Sequence, residues 1–221
     1  MNLVDLGTMP YRDAWKRQEE AHAQVVAGGQ EQLLLVEHPP VITFGRRAEI
    51  HGQKHMVTPR EMLSMIGVDV VQSDRGGDVT FHGPGQIVAY PIVRLNDHRL
   101  SVGGFVRRLE ETVIDTLKSF DIPAQKDSCA IGVWVPDRDG NLAKICALGV
   151  RIRRGVSLHG IALNVSTDLS FFKLIVPCGL TGRAVTSMRA LMGDSTPPID
   201  VMKDALAQRM IAAFAPTARA V

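Results

Sequence analysis

The chain predicts an α+β fold: one domain in which a mixed β-sheet is flanked by helices. Three observations lead there. Strand-like and helix-like apolar periods are interleaved without a sustained βαβ alternation, which disfavours a doubly wound parallel sheet. Two apolar runs, Cys129 to Val135 and Leu142 to Ile152, flank the turn-rich stretch Pro136-Asp137-Arg138-Asp139-Gly140-Asn141 in the manner of a β-hairpin. No internal repeat, low-complexity tract or linker divides the 221 residues, a length that suits one large domain covering 1–221.

The elements follow in order. Tyr11, Ala14, Trp15, Ala21, His22, Val25 and Val26 fall near one face at helical spacing, and Gly28-Gly29 stops the run. Gln32 to Val36 and Val41 to Phe44 read as strands joined by a turn at Pro39-Pro40. Thr58-Pro59-Arg60-Glu61 places an N-cap, an N1 proline and an N3 glutamate ahead of a short helix reaching about Ile66. Val68 to Gln72 reads as a strand, Ser73 to Gly85 as a loop, and Gln86 to Val93 as a strand. Ser101 opens the clearest helix, whose apolar stripe is Val102, Phe105, Val106, Leu109, Val113, Leu117 and Phe120. After the hairpin, Val156 to Val165 continues the sheet. Ile199 to Phe214 closes the chain as a helix with Val201, Met202, Ala205, Leu206, Met210 and Phe214 on its apolar side.

Composition excludes several classes of function. A chain that is 45% apolar and 22% charged is ordinary for a folded protein and far from a disordered one. A formal net charge of +2 gives no general reason to expect a nucleic-acid partner. The longest apolar runs, Leu33 to Val36 and Ile161 to Val165, are far short of a membrane span, and the N-terminal residues lack the basic-then-apolar pattern of a secretory signal. Three cysteines without a disulfide-framework spacing suit a reducing compartment, so the expectation is a soluble cytoplasmic protein.

The densest unusual stretch is Arg75-Gly76-Gly77-Asp78-Val79-Thr80-Phe81-His82-Gly83-Pro84-Gly85-Gln86. Its four glycines let the backbone turn at positive φ or approach another molecule closely, and Arg75 and His82 bracket it with hydrogen-bond donors. Turn geometry alone accounts for the glycines equally well. Among the thiols, Cys129 and Cys146 lie in apolar strand-like runs, where cysteine packs as a small hydrophobe. Cys178 stands in Pro177-Cys178-Gly179, a turn able to expose sulfur beside backbone N–H groups, and is the best local candidate for a nucleophile, set against an inert thiol. Lys144, inside the apolar run from Leu142 to Val150 and two residues from Cys146 on the same strand face, is either partly desolvated and usable as an acid, base or thiolate partner, or snorkels to solvent. His51 and His55 have the spacing of a metal pair but lack the intervening glutamate, and no C-x-x-C occurs, so no metal is expected. Arg151, Arg153 and Arg154 read as a solvated strand face or a dock for an acidic partner.

Taken together, the segment from Arg75 to Gln86, the run from Lys144 to Arg151, His159-Gly160-Ile161-Ala162-Leu163-Asn164 and Pro177-Cys178-Gly179 resemble the octanoyltransferases of bacterial lipoate synthesis. The likeness covers essentially the whole chain. It implies the fold shared by biotin and lipoyl protein ligases. It also implies transfer of an octanoyl group from acyl carrier protein to a lysine of the lipoyl domains of 2-oxoacid dehydrogenase E2 subunits or of the glycine-cleavage H protein. By position, Cys178 becomes the acyl-accepting nucleophile and Lys144 the group that lowers its pKa. Arg75, Gly76, Gly77, Asp78, Val79, Thr80, Phe81 and His82, with Ala147, Leu148, Gly149, Gly160, Ile161 and Ala162, would line the acyl site. Because thioester exchange onto a thiolate is close to isoenergetic, no ATP or other cofactor is implied. The rival readings are an ATP-dependent lipoate or biotin protein ligase of the same fold, and a non-catalytic module that binds an acyl carrier or lipoyl domain.

Overall fold

The computed structural model describes residues 1–51, 57–136, 140–175 and 183–215, the side chains of 49–51 excepted. Strand β1 (Asn2–Thr8) is followed by helix α1 (Tyr11–Val26), strands β2 (Gln32–Glu37) and β3 (Val41–Phe44), and short helices α2 (Arg46–His51) and α3 (Arg60–Met65). Strands β4 (Asp69–Gln72), β5 (Val79–His82) and β6 (Gln86–Ile92) lead into helix α4 (Val102–Lys118). Strands β7 (Gln125–Lys126), β8 (Val133–Pro136), β9 (Leu142–Arg153) and β10 (Val156–Asn164) precede helices α5 (Met188–Met192) and α6 (Ile199–Ala213).

A seven-stranded sheet in the order β1-β2-β6-β10-β9-β8-β7 forms the body, and a three-stranded sheet β4-β3-β5 stands beside it. Each contains one parallel pair, β1 with β2 and β3 with β4, among antiparallel neighbours, so the sheets are mixed as expected. Alternation along β2 explains the layering. Leu33 and Leu35 face a core built with Phe105, Leu109, Val113 and Leu117 of α4 and Met202, Leu206 and Met210 of α6. Leu34 and Val36 face the opposite side, against Ala14, Ala21 and Val25 of α1. Burial of these two faces is the main favourable term holding the layers together. A third core, Ile42, Phe44, Leu63, Val79 and Phe81, lies under the smaller sheet.

Helix α1 matches its periodicity, and Ser101 caps α4 by accepting from the Gly104 N–H at 3.1 Å. Other expectations need correction. The stretch from Ser73 to Gly85 is not a continuous loop, because Val79–His82 pairs with β3 as strand β5. Strand β1 was not legible: its alternation is interrupted by Asp5 and Gly7, and it is an edge strand with much of its length exposed. Pro59, not Thr58, stands at the N-cap of α3 and makes no side-chain capping bond. Val102 and Val201 were expected in apolar stripes but are about half exposed, at 52% and 48%. Cys129 is exposed and outside any strand, against the expectation of a packed strand residue, whereas Cys146 is fully buried. Among the described residues no helix is long and apolar enough to cross a membrane.

Candidate active site

A cavity of about 460 Å³ opens where the two sheets meet, within the size range of small-molecule sites. Its floor is the central pair β9 and β10, which run antiparallel with Ala147 opposite Ala162, Leu148 opposite Ile161 and Gly149 opposite Gly160. Small residues facing each other on adjacent strands leave room above the sheet. Gly160 must be small for a backbone reason too, since a Cβ there would stand 2.1 Å from the Ala89 carbonyl oxygen. The other lining residues include Arg75, Gly76, Gly77, Thr80 and His82, with Tyr11, Val88, Tyr90 and His159. Val102, Val106, Val150 and residues 129–131 contribute as well. Of the sequence-predicted acyl-site residues, Asp78, Val79 and Phe81 do not line it. Val79 and Phe81 point into the core under the smaller sheet, because alternation along β5 sends only Thr80 and then His82 toward the cavity.

The glycine-rich loop is fastened to the floor. The Gly76 N–H donates to the Val150 carbonyl at 3.0 Å, an approach so close that a Cβ on Gly76 would meet that oxygen at 2.8 Å. Arg75, expected to offer donors to a ligand, is buried and spends its guanidinium on the protein. It donates to the Thr43 carbonyl at 2.6 Å, the Asp78 carbonyl at 2.7 Å and the Gly76 carbonyl at 3.0 Å. Its role here is to hold the loop in shape while lending positive charge to the wall.

Lys144 lines the cavity, and a β-bulge puts it there. Val133 pairs with Cys146 but the next residue, Trp134, pairs with Lys144, so Ile145 is the extra residue on β9. The bulge breaks the two-residue alternation, and the expectation that Lys144 and Cys146 share a face fails for that reason: Cys146 lies in the core with Ile145. Burial pushes the Cys146 thiol far up, which removes it as a nucleophile. The Lys144 ammonium sits 4.7 Å from the centre of the Trp134 ring, and the Arg183 guanidinium lies 4.3 Å from the same centre. Arg183 pairs with Asp127, whose carboxyl is held down at about 2, chiefly by that hydrogen bond. Cys178, together with Pro177 and Gly179, lies outside the described residues, as do His55 and residues 137–139 of the expected hairpin turn. Residues 184 and 186 lie beside the lysine: the Lys144 N–H donates to the Ala184 carbonyl and the Thr186 N–H to the Lys144 carbonyl, both at 2.9 Å.

The opposite wall is a cluster of rings that sequence reasoning did not assemble. Tyr11 stacks on His82 at 5.7 Å, and His38 packs on Tyr11, His82 and Tyr90. His38 joins the Met9 carbonyl at 2.7 Å and the Tyr90 hydroxyl at 2.8 Å, and burial lowers its pKa to about 4. His82 is likewise held neutral by burial, by His38 and by Arg75. His159 lies 2.6 Å from Asp74, which favours its charged form, yet burial and the Arg75 and Arg151 charges bring it to about 3. Arg151 claims the same carboxylate, so the neutral imidazole is the consistent state. Among the described residues the lining includes Arg47, Arg75 and Lys144 but no carboxylate, an environment that favours an anion such as a thiolate. Arg151 and Arg153 are spent on Asp74 and Glu19, leaving Arg154 as the exposed member of that run.

Comparison with known proteins agrees with this geometry. The family described as the lipoyl protein ligase A/B catalytic domain matches residues 10–211. A protein of Chloroflexus aggregans named octanoyltransferase is 45% identical over 216 residues, covering 97% of this chain and 95% of that one. Another so named, from Roseiflexus sp., is 46% identical over 214 residues, 96% of this chain and 84% of its own. Among solved structures, a bipartite lipoate protein ligase of Thermoplasma acidophilum superposes with a TM-score of 0.70 at 17% identity, covering 96% of this chain and 82% of its own. A lipoate-protein ligase A bound with ATP gives 0.71 at 18%, with coverages of 96% and 84%. These two show that the fold is shared.

Proposed function

This chain belongs to the lipoyl protein ligase A/B catalytic domain family, and on that footing we propose that it is an octanoyltransferase working through an acyl-thioester on Cys178. The observation that carries the reading is Lys144. The bulge on β9 turns it into a cavity that no carboxylate lines among the described residues, and its backbone is bonded on both sides to residues 184 and 186, which follow Cys178 by a few residues in the chain.

The donor is an octanoyl thioester on acyl carrier protein, and the acceptor is a lysine of a lipoyl domain, in E2 subunits or the glycine-cleavage H protein. The Cys178 thiolate attacks the thioester carbonyl, a carbon–sulfur bond forms, and the carrier's thiolate departs and takes up a proton. The acceptor lysine, as the neutral amine, then attacks the acyl-enzyme. The amide forms, the Cys178 thiolate leaves, and the amine proton passes to a base. The Lys144 ammonium stabilises the resting thiolate, gives its proton to the departing carrier thiolate and, as the neutral amine so formed, takes the proton of the acceptor amine, which restores the ammonium beside the departing Cys178 thiolate. Burying the eight-carbon tail over the Ala147, Gly149, Gly160 and Ala162 floor contributes roughly 5 kcal/mol, at ~0.8 kcal/mol per methylene, enough for the cavity to select chain length. The thioester already carries the activation, so the chemistry requires no ATP.

Incubation with octanoyl-acyl carrier protein and no nucleotide, followed by intact mass, tests this reading. Gain of one octanoyl group, absent in Cys178→Ala, is the expected result. An ATP requirement for product would instead indicate an adenylating ligase, and failure to turn over repeatedly would indicate a binding module.

A further inference from the structure

A directed chain of buried hydrogen bonds runs from the glycine-rich loop to the lysine, and each link fixes the next. The Arg75 guanidinium can only donate, and it reaches Thr43 Oγ1 from Nε at 3.2 Å and from Nη2 at 3.1 Å. The Thr43 hydroxyl, with its acceptor sites so engaged, gives its hydrogen to His82 Nε2 at 3.3 Å. His82 therefore carries its own hydrogen on Nδ1 and donates it to Gln86 Oε1 at 2.8 Å. The Gln86 amide nitrogen donates to Asn164 Oδ1 at 2.8 Å, and the Asn164 amide nitrogen donates to the Thr186 carbonyl at 3.0 Å. From Thr186 the backbone bonds to Lys144 complete the path.

We propose that Asn164 is a positioning residue for the acyl-transfer reaction: it holds the stretch 184–186 against Lys144 and so fixes where the lysine stands in the cavity. The inference rests on the octanoyl-transfer reading for its kinetic consequence, though not for its geometry. Residue type supports it. The position must accept from Gln86 and donate to Thr186 at once, which one amide does, a carboxylate cannot, and an aliphatic side chain does not attempt. Gln86, at 1% exposure, and Asn164, at 3%, are out of reach of bulk water, so a lost partner there is not cheaply replaced. His82 belongs to the same path. Its contribution is to orient Gln86 rather than to offer a hydrogen to the acyl group.

Asn164→Asp, ionised, keeps the acceptor for Gln86 and removes the donor to Thr186 but adds a negative charge, so it is read together with Asn164→Ser, whose side chain is too short to span both partners and brings no charge. The expected result is a fall in kcat of about tenfold, the worth of one buried hydrogen bond, with KM within about twofold. The pH midpoint for Cys178 alkylation should rise, and the Thr186 amide should exchange faster while amides in α4 keep their protection. Unchanged kcat and alkylation midpoint, with only a lowered melting temperature, would overturn the inference and leave Asn164 a purely structural residue. A raised alkylation midpoint in Asn164→Asp but not in Asn164→Ser is the effect of the added charge and would also overturn the inference; should Asn164→Asp fail to fold, Asn164→Ser alone decides. The amide-exchange arm separates this inference from the functional reading. A wild-type protein that takes no octanoyl group, while Asn164→Asp still frees Thr186, would sink the reading alone; unaltered Thr186 exchange would sink the inference alone.

Discussion

In the proposed mechanism Lys144 is the residue on which the chemistry turns, and its setting explains what removing it should do. It supplies positive charge to a cavity that no carboxylate lines among the described residues, so Lys144→Ala should raise the pH midpoint of Cys178 alkylation by iodoacetamide and lower turnover about 10²- to 10⁴-fold, the usual range for a lost acid–base group. An unmoved midpoint would mean that the lysine does not stabilise the thiolate. Cys146 should resist the same reagent in the folded protein, since its thiol is buried and pushed far up, while exposed Cys129 should label. Gly160 answers to a different constraint. A methyl group there meets the Ala89 carbonyl of the neighbouring strand, so Gly160→Ala should cost about 1–3 kcal/mol, read by chemical denaturation, by forcing β10 and β6 apart.

Among the elements, the bulge between β8 and β9 does most to make the site, and it was invisible in the sequence. Period-two alternation along Lys144-Ile145-Cys146 puts the lysine and the cysteine on one face, and nothing in those three residues signals an extra unpaired position. Trp134, opposite the lysine, carries the ammonium on its ring; Trp134→Leu should lower turnover by about 2- to 30-fold, the span of a cation–π contact worth ~0.5–2 kcal/mol. Equal turnover in the variant would show that the ring is only packing. Helices α1 and α4 were legible because a long 3.6-residue period averages over single exceptions such as Val102. Strand β5 was not, because its four residues lie among the glycines of the loop and its pairing with β3 is settled by tertiary contact. The loop's own residues were recognised, yet Arg75 proved to be a clasp because its donors find backbone carbonyls that only the fold brings near.

For the whole molecule, the wall of neutral rings sets a pH limit. His38 is buried between Tyr11 and Tyr90, His82 against Tyr11 and His38, and both have folded pKa values below the ordinary 6.5, about 4 for His38. The unfolded chain therefore binds more protons as pH falls from about 6.5 toward 4. Stability is complete above that window and is lost through it at about 1.4 kcal/mol per pH unit for each histidine. Urea midpoints at pH 7.5 and 5 check this, and equal midpoints would contradict it. Tyr11, His38 and Tyr90 were not marked as site residues beforehand, since their rings converge from α1, the turn after β2 and β6, far apart in the chain. The other residues marked for the acyl site meet at one cavity, Asp78, Val79 and Phe81 excepted, while the role of Cys178 is proposed from its sequence and its distance along the chain from Ala184. Intact-mass analysis after mixing with octanoyl-acyl carrier protein, without ATP, tests the central claim most directly. One octanoyl group on the wild-type chain and none on Cys178→Ala is the predicted result; no mass gain, or the same gain in Cys178→Ala, would contradict it.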